Sequence, residues 1–217
     1  MGQKVNPIGF RLGTTFTWKS RWFEPKQTYA EVAYEDYRLR RYLEQELANA
    51  QVVDIEIERS ATVAKVILRV ARPGVVIGRG GANLEKIKKG VEAILNSQKQ
   101  TKNKVKVDLR VEEVKKPDLS AKLVAERIAQ QLAKRYPHRR AVAQALEKVM
   151  QSGAKGVKIA LSGRIAGAEI GRTEKYSTGK VPTQTLRAIV DYYQVPAKTK
   201  SGYVGVKVWI YKGEVVS

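Results

Sequence analysis

Cysteine is absent from this 217-residue chain, which excludes a disulfide framework, a thiol nucleophile and a thiolate metal site. Histidine occurs once, as His138 in the run Tyr136-Pro-His-Arg-Arg140. One imidazole cannot build a histidine metal cluster, and a polar turn is the role the position suits. No apolar stretch approaches the ~18 residues of a membrane span, and the basic N-terminus lacks the apolar region of a signal peptide. No glycine run ending in Gly-Lys-Ser or Gly-Lys-Thr occurs, so a mononucleotide P-loop is excluded. Acid is also scarce. Lys and Arg number 41 against 21 Asp and Glu, a formal net charge of +20.

So basic a chain is most readily tolerated beside a polyanion. Nucleic acid is the leading expectation and an anionic membrane surface the second. The charge is uneven: residues 1–27 carry net +4, 28–60 net −4, 61–117 net +9 and 118–217 net +11. The acidic segment is expected to face away from the polyanion or to meet a basic protein neighbour. The length suits two domains better than one.

What is present centres on Gly78-Arg79-Gly80-Gly81, which follows the strand-like run 66–70 and precedes an amphipathic helix. Glycines permit positive φ and close approach of the backbone, and a helix start favours an anion. A dinucleotide fingerprint needs a third glycine where Asn83 stands. A phosphate-cradling clamp and a glycine turn without a ligand both fit the loop alone.

Residues 1–27 read as a basic arm, with frequent Gly and no periodicity. Its Trp18, Arg21, Trp22 and Phe23 suit stacking and phosphate contact, over packing on the domain's own core. From Tyr29 to about Ala50, Leu39, Leu43 and Leu47 mark a helix with Tyr42 beside them. Val53, Ile55 and Ile57 alternate with acids as a strand. Ser60-Ala-Thr reverses the chain into a second strand, 63–70, and Pro73 opens a short helix. Leu84, Ile87, Val91 and Ile94 mark the next helix, opposite Lys86, Lys88 and Lys89. Residues 96–103 read as a loop, and Val105, Val107, Leu109 and Val111 as a third strand.

That order places helices on one face of a three-stranded sheet and resembles a type II KH domain. The resemblance covers roughly 28–115 and implies that the loop clamps the backbone of single-stranded nucleic acid. Gly80 occupies the second variable position, where some relatives carry another lysine.

Beyond Lys115-Lys-Pro117, Asp118 or Ser120 can cap a helix bearing Leu119, Leu123, Ile128 and Leu132. A second, from about Arg139 to Ser152, buries Val142, Leu146 and Val149. Val157, Ile159 and Leu161 alternate as a strand, Gly163 to Tyr176 supplies another, and the segment around Leu186, Ile189 and Val190 is of open type. Val204, Val206, Val208 and Ile210 face away from Tyr203, Lys207, Trp209 and Tyr211, a strand with one aromatic, basic side. Two helices on a sheet make a second α+β domain. The expected fold is therefore α+β throughout, with a basic arm (1–27), a type II KH domain (28–116) and a two-layer domain (117–217).

Ala154-Lys-Gly156, the run from Ser162 to Glu174, Gly179-Lys-Val-Pro-Thr183 and the run from Gly205 to Gly213 resemble the bacterial-type small-subunit ribosomal proteins of the S-three family. Met1-Gly-Gln-Lys-Val-Asn-Pro7 and Gly9-Phe-Arg-Leu-Gly13 resemble that family's N-terminus. The resemblance spans essentially the whole chain. It implies residence in the head of the small ribosomal subunit, with a bacterial cytosol expected over an organelle as the compartment. The implied partners are small-subunit ribosomal RNA, messenger RNA at its entry path and neighbouring head proteins, with no membrane and no cofactor. In that family a basic pair faces the messenger entry tunnel and contributes to unwinding; it matches Arg139 and Arg140, with Lys134 and Arg135 adding charge. A third basic residue of the family's cluster falls near Val142 or Ala143, neither of them basic.

The expected RNA-binding set is Gly78, Arg79, Gly80, Gly81, Lys86, Lys134, Arg135, Arg139, Arg140, Arg164 and Arg172. No metal site and no catalysis are expected. Glu169 and Glu174, near Arg164 and Arg172, read as ion-paired surface positions rather than a catalytic pair. A free regulatory RNA-binding protein using the same clamp is the alternative to a ribosomal constituent.

Overall fold

The computed structural model describes residues 4–60, 62–96 and 105–215. Trp18–Lys115 forms one compact unit, and Met1–Thr17 together with Lys116–Ser217 forms the other. The segment expected as one arm is therefore divided between two units.

The chain enters through a single helical turn, α1 (Pro7–Phe10). Asn6 caps it by accepting from the Ile8 and Gly9 amides, and Pro7 fills the first position, where no amide is needed.

In the unit Trp18–Lys115 the elements run β1 (Ser20–Arg21), α2 (Lys26–Glu46), β2 (Val52–Arg59), β3 (Val63–Val70), α3 (Pro73–Ile77), a 3-10 turn (Arg79–Gly81), α4 (Ala82–Asn96) and β4 (Lys106–Glu113). The strands lie in the order β1-β2-β3-β4. β2 and β3 pair antiparallel, and β4 runs parallel to β3 after the crossover through α4. The former arm thus adds an edge strand, parallel to β2. Ala61, in the expected reversal, and residues 97–103 of the expected loop lie outside the described residues.

Leu39 and Leu43 of α2 and Leu47 at its C-cap are buried, as their spacing predicts. On α4 the buried residues are Ile87, Val91 and Leu95, with Leu84 and Ile94 half-buried. At about 100° per residue Leu95 falls nearer the axis of Val91 than Ile94 does. A bulge between Val52 and Asp54 shifts the strand's opening, so Val52 rather than Val53 joins Ile55 and Ile57 in the core.

The unit's aromatic and basic entry segment is held by its own acids. Lys19 Nζ lies 2.8 Å from Asp54, and Arg21 reaches Glu56 at 2.6 Å and Glu58 at 3.1 Å. Trp22 Nε1 donates to Asp36 at 2.8 Å, beside Ser20 at 3.0 Å. Arg59 binds Asp36 and Glu35, both carboxylates being buried. The acidic segment therefore pairs Lys19 and Arg21 of the former arm within the chain. Trp18 and Phe23 remain exposed.

In the second unit a 3-10 turn (Pro117–Leu119) leads into α5 (Ala121–Ala133) and α6 (His138–Gln151). β5 (Gly156–Gly163), β6 (Arg172–Gly179), β7 (Ala188–Thr199) and β8 (Gly202–Glu214) follow. The sheet order is β6-β5-β8-β7, antiparallel throughout. One face, through Val157, Ile159, Leu161, Val204, Val206, Val208 and Ile210, shares a core with Ile128, Val142 and Val149 of the helices. The segment left open by its sequence is β7. Pro196 is tolerated there because β7 is an edge strand. Neither expected side-chain cap opens α5. The Ala121 amide donates instead to Asp191 at 3.1 Å, while Asp118 pairs with Arg127 at 2.7 Å.

Arg11 fastens the N-terminal turn to this unit. It is fully buried and meets only carbonyls: Nε donates to Ala188 at 2.7 Å, Nη1 to Pro7 at 2.9 Å and Nη2 to Thr185 at 2.8 Å, with Thr183 and Pro182 at 3.0 and 3.2 Å. Burial pulls its pKa below the ordinary value. Removing it orphans several buried acceptors at once. Arg11→Met is expected to lower the unit's stability by about 2–4 kcal/mol. Arg11→Lys, with three donors in place of five, should fall between it and the parent. Urea titrations of the three proteins check this, and equal midpoints would remove the role.

Candidate nucleic-acid interface

The loop between α3 and α4 is shaped by three glycines with positive φ: Gly78 at 71°, Gly80 at 61° and Gly81 at 83°. Gly78, with ψ −175°, is in a region that side chains other than hydrogen do not adopt without strain. A Cβ there would also come within 2.8 Å of the Asn83 side chain. Asn83 Nδ2 donates to the Val75 carbonyl at 2.9 Å, tying the first turn of α4 back over α3. Gly80 and Gly81 have open space around them, so their requirement is conformational. The result is a bare backbone at the entrance of α4, topped by Arg79, which is exposed and unpaired among the described residues. Val75 and Ile77 are also exposed beside it, an apolar floor next to a cationic tip.

Lys86 is less free than its sequence suggests, lying 3.3 Å from Glu46 on α2. Lys88 and Lys89 are exposed without partners among the described residues. Their place on the polar face of α4 was legible, but only the fold separates free lysines from a tethered one. α4 can lie close to α2 because residue 90 is glycine: a Cβ would come within 2.1 Å of the Tyr42 hydroxyl.

The second group sits where α5 turns into α6. Lys134 ends α5, and Arg135 takes a left-handed φ of 59°. The amide of Tyr136 donates to Gln131 at 2.9 Å and that of Arg135 to Leu132 at 3.0 Å, the paired closure usually made with glycine. Pro137 then starts α6 without a side-chain cap or an acid in the first turn. The helix begins one residue before the expected start, so Arg139 and Arg140 occupy its first turn. Positive charge is unfavourable there. Both arginines are exposed, and Arg140 lies 5.7 Å from the Tyr136 ring centroid. Ala143, one turn on, is exposed, whereas Val142 is buried. The solvent-facing position for a third cation is thus Ala143, and it carries none.

The chain is similar to known protein families over both units. A domain family described as "KH domain" matches residues 38–119, and one described as "Ribosomal protein S3, C-terminal domain" matches 128–210. The protein named small ribosomal subunit protein uS3 from Desulforamulus reducens is 50% identical over 216 residues, covering 100% of this chain and 94% of that protein. The uS3 proteins of Persephonella marina and Coxiella burnetii (strain RSA 331 / Henzerling II) are 46% and 48% identical, each across 99% of this chain and 91% of their own length. The chain belongs to the uS3 family. It is therefore a small-subunit ribosomal protein of a structural, non-enzymatic family.

Two residues expected to bind RNA have local duties in this uS3 chain. Arg164 Nε donates to the Ala168 carbonyl at 2.8 Å, closing the bend Ile165–Gly167. Arg172 Nε pairs with Glu174 at 2.6 Å. The expected ion pairing thus holds for Glu174 with Arg172. Glu169 is exposed and has no ion partner among the described residues. Glu174 also accepts from the Tyr176 hydroxyl, and His138 Nε2 lies 3.1 Å away, off the line of a hydrogen bond. His138 is thus a half-buried neighbour of this cluster rather than a free turn residue.

Two outcomes are expected. Tyr176, with Arg172 and His138, holds the Glu174 carboxyl down at about 2 from an ordinary 4.5. A depressed folded pKa gives stability that is complete above the unfolded value and lost as pH falls from about 4.5 toward 2. Tyr176→Phe should raise the Glu174 titration midpoint and shrink this acid-sensitive part, read by carboxyl NMR and by urea midpoints across that range. An unmoved midpoint would remove Tyr176 as the cause. Separately, Arg135→Gly should raise stability by about 0.5–1 kcal/mol, because relief of the left-handed backbone outweighs the looser unfolded chain. A lower thermal midpoint would contradict this.

Proposed function

We propose that the protein acts in the head of the bacterial small ribosomal subunit, where its KH loop grips ribosomal RNA and the α5–α6 junction lines the entry path of messenger RNA. Neighbouring head proteins complete its surroundings. The loop reading is supported by three positive-φ glycines that bare the amides beside an unpaired arginine. The observation that carries the messenger reading is the junction: Lys134, Arg135, Arg139 and Arg140 are all exposed, two of them against the helix dipole and one in left-handed backbone. Cations held where both dipole and dihedral disfavour them point to an external anion.

Unwinding at this junction is passive. The chain carries no P-loop, so the arginines hold strands that translocation separates. With Ala143 in place of a cation, one fewer phosphate is held than where that position is basic.

Arg79→Asp with Gly80→Asp is expected to leave the unit folded and to weaken single-stranded RNA binding. The lost charge-assisted contact costs about 1.5–3 kcal/mol, and repulsion by the new carboxylates adds to this. Wild-type affinity at equal thermal stability would contradict the clamp. Ribosomes carrying Arg139→Ala and Arg140→Ala should slow on a messenger with a stable hairpin and keep their speed on unstructured messenger. Equal speed on both, with subunits normally assembled, would reduce the pair to a static contact.

A further inference from the structure

Helices α5 and α6 cover one face of the second unit's sheet. The opposite face is organised by register. On it Lys158 of β5 stands between Ser177 of β6 and Trp209 of β8, and Trp209 in turn faces Tyr192 of β7. The next row holds Lys175, Ala160 and Lys207 side by side across β6, β5 and β8. With strands about 4.8 Å apart, the two lysines stand roughly 10 Å from each other, with Lys158 in the neighbouring row. Among the described residues the one strand carboxylate in register with this face is Glu214, at the far end of β8, and Arg187 lies 3.2 Å from it. The acids Glu174 and Asp191 belong to the helix side, where they meet His138 and the start of α5.

The aromatic side chains here serve the lysines. Lys158 Nζ lies 5.6 Å from the Trp209 ring centroid, and Tyr192 packs against the same ring at 5.1 Å, tilted 39°. Trp209 therefore forms a floor that holds an ammonium rather than a free stacking platform. Burial and the neighbouring Lys4 and Lys175 lower the pKa of Lys158, the mark of clustered like charge with no anion to relieve it. Lys175, Lys207 and Lys4 are exposed.

We propose that this face, beyond the end of β7 that α1 covers, is a further RNA-contact surface, gripping phosphates of ribosomal RNA through Lys4, Lys158, Lys175 and Lys207. Lysine, a compact hydrated point charge, suits phosphates without imposing the planar geometry of a guanidinium. Lysines at these positions suit backbone phosphates rather than base edges. The proposal rests on the ribosomal reading above, but on residues separate from the loop and the junction.

The test uses the full-length protein and in vitro transcribed small-subunit ribosomal RNA, with affinity measured over a range of potassium chloride concentrations. Lys175→Ala with Lys207→Ala should weaken binding about 10–30-fold near 0.15 M salt. It should also flatten the slope of log affinity against log salt by about 1.4–1.8, the share of two phosphate contacts. Lys175→Arg with Lys207→Arg should restore both. In the protein–RNA complex Lys175 and Lys207 should resist acetylation. Unchanged affinity and slope, while Arg79→Asp with Gly80→Asp weakens binding, would overturn the sheet surface and leave the RNA reading intact. Insensitivity of both double variants would overturn the RNA reading and this surface with it. Protection of the lysines only in assembled subunits, and not in the binary complex, would assign the face to a protein neighbour and overturn the RNA contact.

Discussion

Carboxylates are the limiting component of this molecule, and where they go decides where it can meet RNA. With 21 acids against 41 cations, every acid committed to an internal contact leaves a cation elsewhere without a partner. Asp54, Glu56 and Glu58 hold Lys19, Arg21, Lys65 and Arg69. Glu35 and Asp36 are buried against Arg59. In the second unit Asp191 caps α5, and Glu174 gathers Arg172 and Tyr176. Exposed pairs contribute little energy each, about 0–1 kcal/mol. Their effect is one of placement. The Arg59 cluster differs, since losing one member of a buried pair costs about 3–5 kcal/mol.

The two sites of the proposed RNA reading solve one problem in different ways. At the KH loop, glycine supplies the left-handed backbone and removes side chains, so that amides and a helix start are accessible. At the α5–α6 turn an arginine takes the left-handed position that glycine would fill at lower cost, and the backbone strain places a charge there. The first bares the main chain; the second displays cations on it. Neither loop carries an acid that would compete with phosphate.

The framework of both units was legible because their strands alternate and their helices repeat every three to four residues. The glycine loop could be read because positive φ leaves glycine as its signature. Other features depended on partners distant in sequence. Nothing near Arg11 signals burial, since its acceptors are carbonyls from Pro182 to Ala188, which any residue can supply. The division of residues 1–27 followed from acids beyond residue 30. The choice between Ile94 and Leu95 turned on the direction of α4, and the bulge at Val52 on its pairing with β3. The lysine-bearing sheet face became visible only once register set Lys158, Lys175 and Lys207 side by side, although the basic aromatic side of β8 was already apparent.

Arg11 also has a consequence in time. Its most distant acceptor, Ala188, lies 177 residues downstream, with the whole of Trp18–Lys115 between them. At a synthesis rate of about 5–20 residues per second, roughly 9–35 s separate the making of the donor from that of its acceptor. The enclosed unit has all its strands during that interval and can fold, while the unit that holds both chain ends must wait. Arg11 and the turn it anchors are thus among the last parts to reach their native place, and a nascent chain carries a folded KH unit while the Arg11 guanidinium is still open to solvent.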